Sequence, residues 1–277
     1  MYLYNFEAFT TSCELHIEAP VQAEADNAAQ IIISHTKRLE HCYGFFRETS
    51  ELYAINNRTN NTHIISDEFA GLIQMALFYT KITQGVFDIA LSGTLKASFK
   101  ATTLEEYYTI RDTLIPFASS EHVLLEGNQL TFSNDFTKID FGGLVKEYAV
   151  DQAVVLLQNI GITSALINFG GDIAAYGTCH NNPWKIGIQN PNSLDLNLME
   201  VELHNHSLCT SGHSKRFNEI ERIKISHIIP SDPALQNCSQ VSIIAPTTVD
   251  AGIWSTALLI NPTLIFPAHI KLISTLY

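Results

Sequence analysis

The stretch that most constrains this chain runs from residue 138 to residue 177 and reads KIDFGGLVKEYAVDQAVVLLQNIGITSALINFGGDIAAYG. Its pattern predicts a strand, a glycine turn, a helix, a second strand and a second glycine turn. Asp140 and Lys146 flank the first turn, and Asp172 follows the second. Glycine pairs let backbone N–H groups approach a ligand closely, and a helix N-terminus favours anions. The stretch therefore predicts a site for a phosphate-bearing ligand, with or without a metal ion.

Each glycine turn also has a purely structural interpretation. Asp140 would cap the helix in a tight strand-to-helix connection, and Asp172 would belong to a hairpin or a bulge. A single Gly-Gly pair does not decide between these interpretations. The stretch contains neither GxGxxG nor GxxxxGK[ST], so a Rossmann site and a P-loop are not supported. Two such turns on either side of one helix favour a shared site.

Composition limits the classes of protein that this chain can represent. It has 277 residues, 46% hydrophobic and 16% charged, which suits a single folded domain over residues 1–277. The formal net charge of −12 argues against nucleic-acid binding, because affinity for phosphate backbones comes mainly from Lys and Arg. The five cysteines are scattered without a CxxC pair, which indicates free thiols. Without a signal-peptide pattern or a run of about 18 apolar residues, we expect a cytoplasmic protein with no membrane span.

Helices and strands are predicted in a mixed order along the chain. The helical segments are residues 22–42, 66–83, 102–114, 146–159 and 248–259. The strand segments are residues 7–18, 164–169, 183–189, 199–203, 223–229 and 240–245, with a hairpin formed by residues 122–126 and 128–133. Because strands and helices do not alternate strictly, the order predicts an α+β fold with a mainly antiparallel sheet and packed helices.

Three residues outside the central stretch are candidates for chemistry. His227 lies in an apolar strand pattern, where a packed histidine is more common than a catalytic one. Asp250 and Thr256 lie in the late helix, and hard oxygen ligands of this kind suit Mg²⁺. An acidic residue at a helix N-terminus also offsets the helix dipole, so a structural role for Asp250 is at least as well supported.

Eight segments, taken together and in this order, resemble the ApbE-type flavin transferases, the FAD:protein FMN transferase family. They are SELYAIN at 50–56, GVFDIALSGTL at 85–95, IDFGGLVKEYAVD at 139–151, ALINFGGDI at 165–173, WKIGIQNP at 184–191, TSG at 210–212, SHIIP at 226–230 and DAGIWSTALL at 250–259. The resemblance covers nearly the whole chain. It implies a two-lobed ApbE-like domain.

The resemblance also implies an activity and a set of site residues. An enzyme of this kind binds FAD with Mg²⁺, transfers FMN to a threonine hydroxyl of a target flavoprotein and releases AMP. The implied FAD contacts are Phe46, Val86, Phe87, Asp88, Asp140 and Lys146. The implied metal ligands are the backbone of Gly143 and the side chains of Asp250 and Thr256, and His227 is the implied base for the acceptor threonine.

Two departures from the family pattern concern the implied metal and phosphate. The family has Asp four residues before its metal-binding Thr, and this chain has Gly252 there, with Asp250 two residues further away. Either Asp250 reaches the metal or one ligand is missing. Where the family has KGY this chain has KEY, so Glu147 should repel phosphate unless it turns away or joins the metal ligands. Two further hypotheses follow: a FAD-binding or partner-binding relative without transfer, and a FAD pyrophosphatase that releases FMN and AMP.

Overall fold

The N-terminal residues form a hairpin in the computed structural model, which describes residues 1–191, 193–212, 217–226 and 238–276. Strands β1 (Tyr2–Ala8) and β2 (Thr11–Glu18) pair antiparallel. The two turn residues, Phe9 and Thr10, have φ values of 51° and 57°, the positive values of a two-residue turn that matches the strand twist. The prediction of one continuous strand over residues 7–18 is therefore wrong, because the chain reverses at this turn.

A seven-stranded sheet dominates the described part of the chain. Its order is β1, β2, β6, β7, β10, β13 and β14, and every neighbouring pair is antiparallel. The added strands are β6 (Ser164–Phe169), β7 (Asp172–Tyr176), β10 (His206–Gly212), β13 (Gln240–Ala245) and β14 (Lys271–Leu276). One smaller sheet contains β3 (Thr62–Ile64), β4 (Val123–Glu126) and β5 (Gln129–Phe132). A second contains β8 (Trp184–Asn190) and β9 (Ser193–Leu203). A third contains β11 (Phe217–Ile220) and β12 (Ile223–Ser226).

Seven α-helices lie within the described ranges. They are α1 (Gln22–Tyr43), α2 (Glu51–Asn56), α3 (Asp67–Ile82), α4 (Ile89–Leu95), α5 (Leu104–Leu114), α6 (Val145–Asn159) and α7 (Thr248–Ile260). Side-chain caps fix several starts: Ser66 accepts the backbone N–H of Phe69 at 3.2 Å, and Thr103 accepts that of Glu106 at 3.2 Å. None of the helices in these ranges is long and apolar enough to cross a membrane.

Most of the predicted elements are confirmed. The five predicted helices correspond to α1, α3, α5, α6 and α7, and the predicted hairpin to β4 and β5. The predicted strand over residues 223–229 is observed as Ile223–Ser226, and its last three residues lie outside the described ranges. The helices α2 and α4 were not predicted. The α+β class, with a mainly antiparallel sheet and packed helices, is confirmed.

The packing of α6 and α7 positions the candidate site. Helix α6 packs against α1, α7 and the β6–β7 hairpin, while α7 also covers β10 and β13. On one side of α6, the rings of Tyr43, Phe69 and Phe141 meet edge to face, with centroids 5.3–5.7 Å apart. The buried Trp254 belongs to a second core between α7 and β13. Phe141 directly precedes Gly142, so the first core anchors the glycine turn before α6.

Candidate active site

Asp140 lies directly before the first glycine turn and is buried. Its backbone N–H donates to the carbonyl of Ile89 at 2.9 Å, and its Oδ1 accepts the backbone N–H of Gly142 at 3.1 Å. Its Oδ2 lies 2.6 Å from the Nζ of Lys96. Helix α6 begins only at Val145, so the interpretation of Asp140 as its cap is wrong. The carboxylate instead fixes the glycine turn and holds a lysine beside it.

Lys96 is a site residue that the sequence did not single out. Its Nζ lies 4.5 Å from the ring centroid of Phe45 and 5.4 Å from that of Phe46. The two rings meet edge to face at 4.9 Å, and Phe46 is 70% exposed. An exposed aromatic ring beside a cation suits a ligand that carries both a flat ring and a negative charge.

Lys146 joins the two glycine turns. Its Nζ forms an ion pair with the carboxylate of Asp172 and lies 3.4 Å from Oε1 of Glu147, and all three side chains are largely buried. The two turns therefore meet at one place in the structure. The hairpin interpretation of the second turn is confirmed, because Gly170 and Gly171 form the two-residue connection between β6 and β7 with positive φ values. That hairpin places Asp172 against Lys146.

Gly143 lies against the apolar ring of Phe87. A Cβ atom at Gly143 would lie 3.4 Å from Cε2 of Phe87, so the glycine backbone lies directly against that ring. Val86 and Phe87 are each 8% exposed and belong to the two cores. Of the implied FAD contacts, Phe87 thus packs directly against the glycine turn, and Val86 belongs to the second core.

Asp88 has a structural role at the start of α4. Its Oδ1 accepts the backbone N–H of Ala90 at 2.7 Å and that of Leu91 at 3.3 Å. The same carboxylate accepts the hydroxyl of Ser120, and its Oδ2 accepts the Ser120 backbone N–H at 2.9 Å. Both oxygens therefore bond groups of the fold, and any contact with a ligand would add to these bonds.

The hydroxyl of Thr256 lies where α7 meets β10. It is 2.9 Å from the hydroxyl of Ser211, which also lies 2.8 Å from the hydroxyl of Ser255. Thr256 is half-buried. Because residues four apart share one face of a helix, Thr256 lies on the same face of α7 as Gly252.

Asp250 lies at the start of α7 with both carboxylate oxygens hydrogen-bonded. Thr247 Oγ1 accepts the backbone N–H of Asp250 at 3.1 Å and donates to its Oδ2 at 3.0 Å. The hydroxyl of Tyr79 donates to Oδ1 at 2.7 Å. At about 100° per residue, the six-residue separation puts Asp250 on a different face of the helix from Thr256. These contacts favour a structural role for Asp250 at the start of α7 over a role as metal ligand.

Asp151 connects α6 to the start of α7. Its two carboxylate oxygens accept the backbone N–H groups of Thr248 and Val249, at 2.7 and 3.0 Å. Burial of the carboxyl raises the pKa of Asp151 to about 6, although these hydrogen bonds lower it in part. The bonds hold the first turn of α7 in a fixed position relative to α6.

His227 and the rest of its motif up to Pro230 lie outside the described residues. Within the described residues, no three His, Cys, Asp or Glu side chains cluster as a metal site. A metal held by these described residues would therefore combine fewer than three such side chains with ligands of other kinds.

The fold and this cluster define a class of protein. Two lysines held by buried carboxylates, a glycine turn at a helix start and an exposed aromatic ring suit the binding of an anionic ligand with a flat ring. The chain belongs to the ApbE family, which it matches over residues 9–270. The resemblance seen in the sequence is confirmed.

Individual relatives agree with this assignment. An FAD:protein FMN transferase of Treponema pallidum is 25% identical over 258 residues, which cover 85% of this chain and 71% of the relative. The crystal structure of an ApbE protein from Thermotoga maritima superposes with a TM-score of 0.84 at 23% identity, covering 94% of this chain and 86% of the other. The flavin transferase ApbE from Vibrio cholerae gives a TM-score of 0.80 at 20% identity, with the same coverage. The two structures establish the shared fold.

Proposed function

We propose that this protein transfers FMN from FAD to a threonine hydroxyl of a target flavoprotein and releases AMP, with Mg²⁺. The observation that carries the proposal is the pairing of Lys146 with Asp172 beside the Gly142–Gly143 turn, in a chain whose relatives are FAD:protein FMN transferases. The pairing concentrates a cation and backbone N–H groups where a pyrophosphate would lie. Family membership supplies the identity of the ligand.

In this proposal the threonine oxygen attacks the phosphorus on the FMN side of the pyrophosphate. A new P–O bond forms to threonine, and the bond to the bridging oxygen breaks, so that AMP leaves with that oxygen. His227, by resemblance, accepts the proton of the threonine hydroxyl. The products are a flavinylated protein and AMP, and the reaction needs no oxidant or reductant.

The chain's own residues bind and orient the flavin ring and the pyrophosphate of FAD. Phe46 offers an exposed ring to a flat group, while the ring of Phe87 forms an apolar wall beside Gly143 and the preceding Val86 is buried. Lys146 supplies a point charge to the pyrophosphate. Asp88 stabilises the framework of this wall by capping α4.

Asp140 and its partner Lys96 act at the other end of the glycine turn. Asp140 fixes the turn through the N–H of Gly142, so the turn is already formed before a ligand binds. Lys96 is held at 2.6 Å from Asp140 and lies beside the exposed ring of Phe46. This arrangement keeps a cation next to the proposed flavin-binding ring and lowers the cost of ordering it on binding.

The oxygen donors near α7 suit Mg²⁺. This ion uses one or two carboxylates and completes its shell with waters and substrate phosphates, so a cluster of three acidic residues is not needed. The backbone of Gly143, the hydroxyl of Thr256 and one carboxylate would hold it; the resemblance implies Asp250 for this carboxylate, although both of its oxygens already accept hydrogen bonds. When bound, the ion neutralises pyrophosphate charge and stabilises charge on the leaving AMP.

Mass spectrometry of a candidate acceptor flavoprotein tests the proposal. The acceptor is incubated with this protein, FAD and Mg²⁺, and AMP is followed in parallel by chromatography. We expect a mass gain of one FMN residue on a threonine, matched by AMP. An authentic transferase acting on the same acceptor provides the positive control, and Lys146→Met the matched loss-of-charge variant.

The other two hypotheses give different results in the same experiment. AMP and free FMN without acceptor modification would identify a pyrophosphatase. Bound FAD with neither AMP nor a mass gain, while the control transferase modifies the acceptor, would identify a flavin-binding relative. Either result would refute the transferase proposal.

A further inference from the structure

We propose that Glu147 of α6 supplies the carboxylate ligand of the divalent cation, in place of the aspartate that the family carries at the position of Gly252 on α7. The inference rests on the proposed function, because it assigns a ligand of the metal that serves the same reaction. The two departures of this sequence, Gly252 on α7 and Glu147 on α6, are then a single exchange of a carboxylate for a glycine. The carboxylate comes from α6 instead of α7 but lies close to the same position.

Steric contact between the two residues is the first observation. A Cβ atom at Gly252 would lie 2.5 Å from Cγ of Glu147, 3.3 Å from its Cδ and 3.4 Å from its Oε1. The Glu147 side chain therefore fills the volume in which any side chain at position 252 would begin. Its carboxylate carbon and Oε1 both lie within 3.4 Å of that Cβ position, which is the neighbourhood that an aspartate on α7 would occupy.

The position on α7 supplies the second observation. Gly252 and Thr256 are four residues apart, so they lie one above the other on the same face of the helix. Thr256 contributes a hydroxyl that is already fixed by Ser211 at 2.9 Å. The carboxylate of Glu147, packed on Gly252, is thus about one helical turn from that hydroxyl, which is the spacing that the family motif uses.

An unpaired oxygen is the third observation. Glu147 is 6% exposed, and its buried Oε2 has no hydrogen-bond partner among the residues that the structure describes, whereas Oε1 lies 3.4 Å from Nζ of Lys146. Lys146 makes its closer ion pair with Asp172. A buried carboxylate oxygen without a partner is costly, and a cation would satisfy it.

The contacts of Asp250 fit the same assignment. Both of its oxygens accept hydrogen bonds, from Tyr79 and Thr247, and its place on α7 is away from the face of Thr256. Recruiting Asp250 to a metal beside Thr256 would break these bonds and unwind the helix start. Glu147 needs no such rearrangement.

Mn²⁺ binding measured by electron paramagnetic resonance tests the inference without depending on turnover. Mn²⁺ is titrated into the wild-type protein, Glu147→Gln and the double variant Glu147→Gly/Gly252→Asp, each with and without FAD. We expect Glu147→Gln to weaken Mn²⁺ binding by roughly tenfold or more, because a charged ligand is lost. The double variant should restore most of that affinity, because it returns the carboxylate to α7.

FAD binding followed by flavin fluorescence separates this inference from the proposed function. Wild-type protein that binds Mn²⁺ through Glu147 but does not bind FAD would refute the proposed function and retain the ligand assignment. The assignment would be overturned if Glu147→Gln bound Mn²⁺ as tightly as the wild-type protein. It would also be overturned if Asp250→Asn, and not Glu147→Gln, lost affinity for Mn²⁺. A wild-type protein that binds FAD but does not bind Mn²⁺ would overturn the assignment as well.

Folding of the variants is checked by thermal unfolding. Glu147→Gln keeps the shape of the side chain, so a loss of metal binding in a folded protein reports on the charge. Gly252→Asp alone should be destabilised, because its Cβ meets the retained Glu147 side chain. If Glu147 is a metal ligand, the double variant should recover both stability and Mn²⁺ binding. If Glu147 has only a structural role, Mn²⁺ binding should not recover.

Discussion

Replacement of Gly93 by alanine should destabilise this protein, although alanine is the better helix former. Gly93 lies in α4, which packs against the segment that leads into Asp140. A Cβ atom at this position would lie 2.5 Å from the carbonyl oxygen of Lys138 and 2.6–2.7 Å from the backbone carbons of Ile139. All of these atoms belong to the backbone, so no side chain can rotate out of the way.

The size of the effect follows from these distances. Ordinary contacts between carbon atoms are about 3.5–4.0 Å, so α4 would have to retreat by about 1 Å. Overpacking of this kind costs about 1–3 kcal/mol, and helix propensity recovers up to about 1 kcal/mol. Because every clashing atom belongs to the backbone, we expect a cost at the upper end of this range and a net loss of about 2 kcal/mol. The same retreat strains the bonds of Thr94 to Lys138 and of Asp140 to Ile89, so FAD binding should weaken too.

Thermal unfolding with a matched glycine provides the assay. Each kcal/mol corresponds to a shift of about 2–4 °C in Tm for a chain near this size. At Gly71 in α3, an added Cβ atom would meet nothing within 4 Å, so Gly71→Ala should raise Tm slightly by helix propensity alone. If Gly93→Ala melted at or above the wild-type temperature, the steric reasoning would be refuted.

Asn56→Ala should lower the free energy of unfolding by about 2–4 kcal/mol in urea titrations, because the buried amide bonds both the N–H and the C=O of Ile139; a loss no larger than that of the exposed Asn27→Ala would contradict this. Burial raises the pKa of Asp151 to about 6 in the folded protein. The unfolded chain therefore loses this proton at a lower pH than the folded protein does. The contribution of Asp151 to stability should therefore fall by up to about 3 kcal/mol as pH rises from about 4 to about 6. Asp151→Asn should remove that slope from Tm measured against pH, and parallel curves would disprove the assignment. EDTA should abolish AMP release and added Mg²⁺ restore it, whereas release that persists in EDTA would exclude the proposed metal dependence.

The sequence predicted the long elements of this fold and missed the short ones. Apolar residues at helical spacing over many turns marked α1, and Gly127-Asn128 marked the β4–β5 turn. The β1–β2 turn is formed by Phe9 and Thr10, neither of which is a typical residue for positive φ, so nothing in the pattern interrupted the alternation. Helices α2 and α4 have six and seven residues, too few for a periodic signal.

The site was predicted where a motif carried it and missed where only tertiary contact did. The glycine turns and their flanking residues indicated that Lys146 and Asp172 would share a site, and the structure pairs them. Lys96 reaches Asp140 across 44 positions of sequence, and no spacing rule connects a lone lysine to that carboxylate. Its role became visible only when α4 was packed against the glycine turn.

Gly252 and Glu147 show why a sequence read one position at a time misjudges a site. Taken separately, each is a loss: one removes a carboxylate, and the other puts one where glycine is usual. In the structure the two share a single volume: Glu147 fits in its present position because residue 252 has no Cβ, and its side chain fills the space beside Gly252. Family members with glutamate at this position of α6 should therefore carry glycine on α7, and members with the usual aspartate should carry glycine on α6. A stable relative with acidic side chains at both positions and the same helix packing would contradict this exchange.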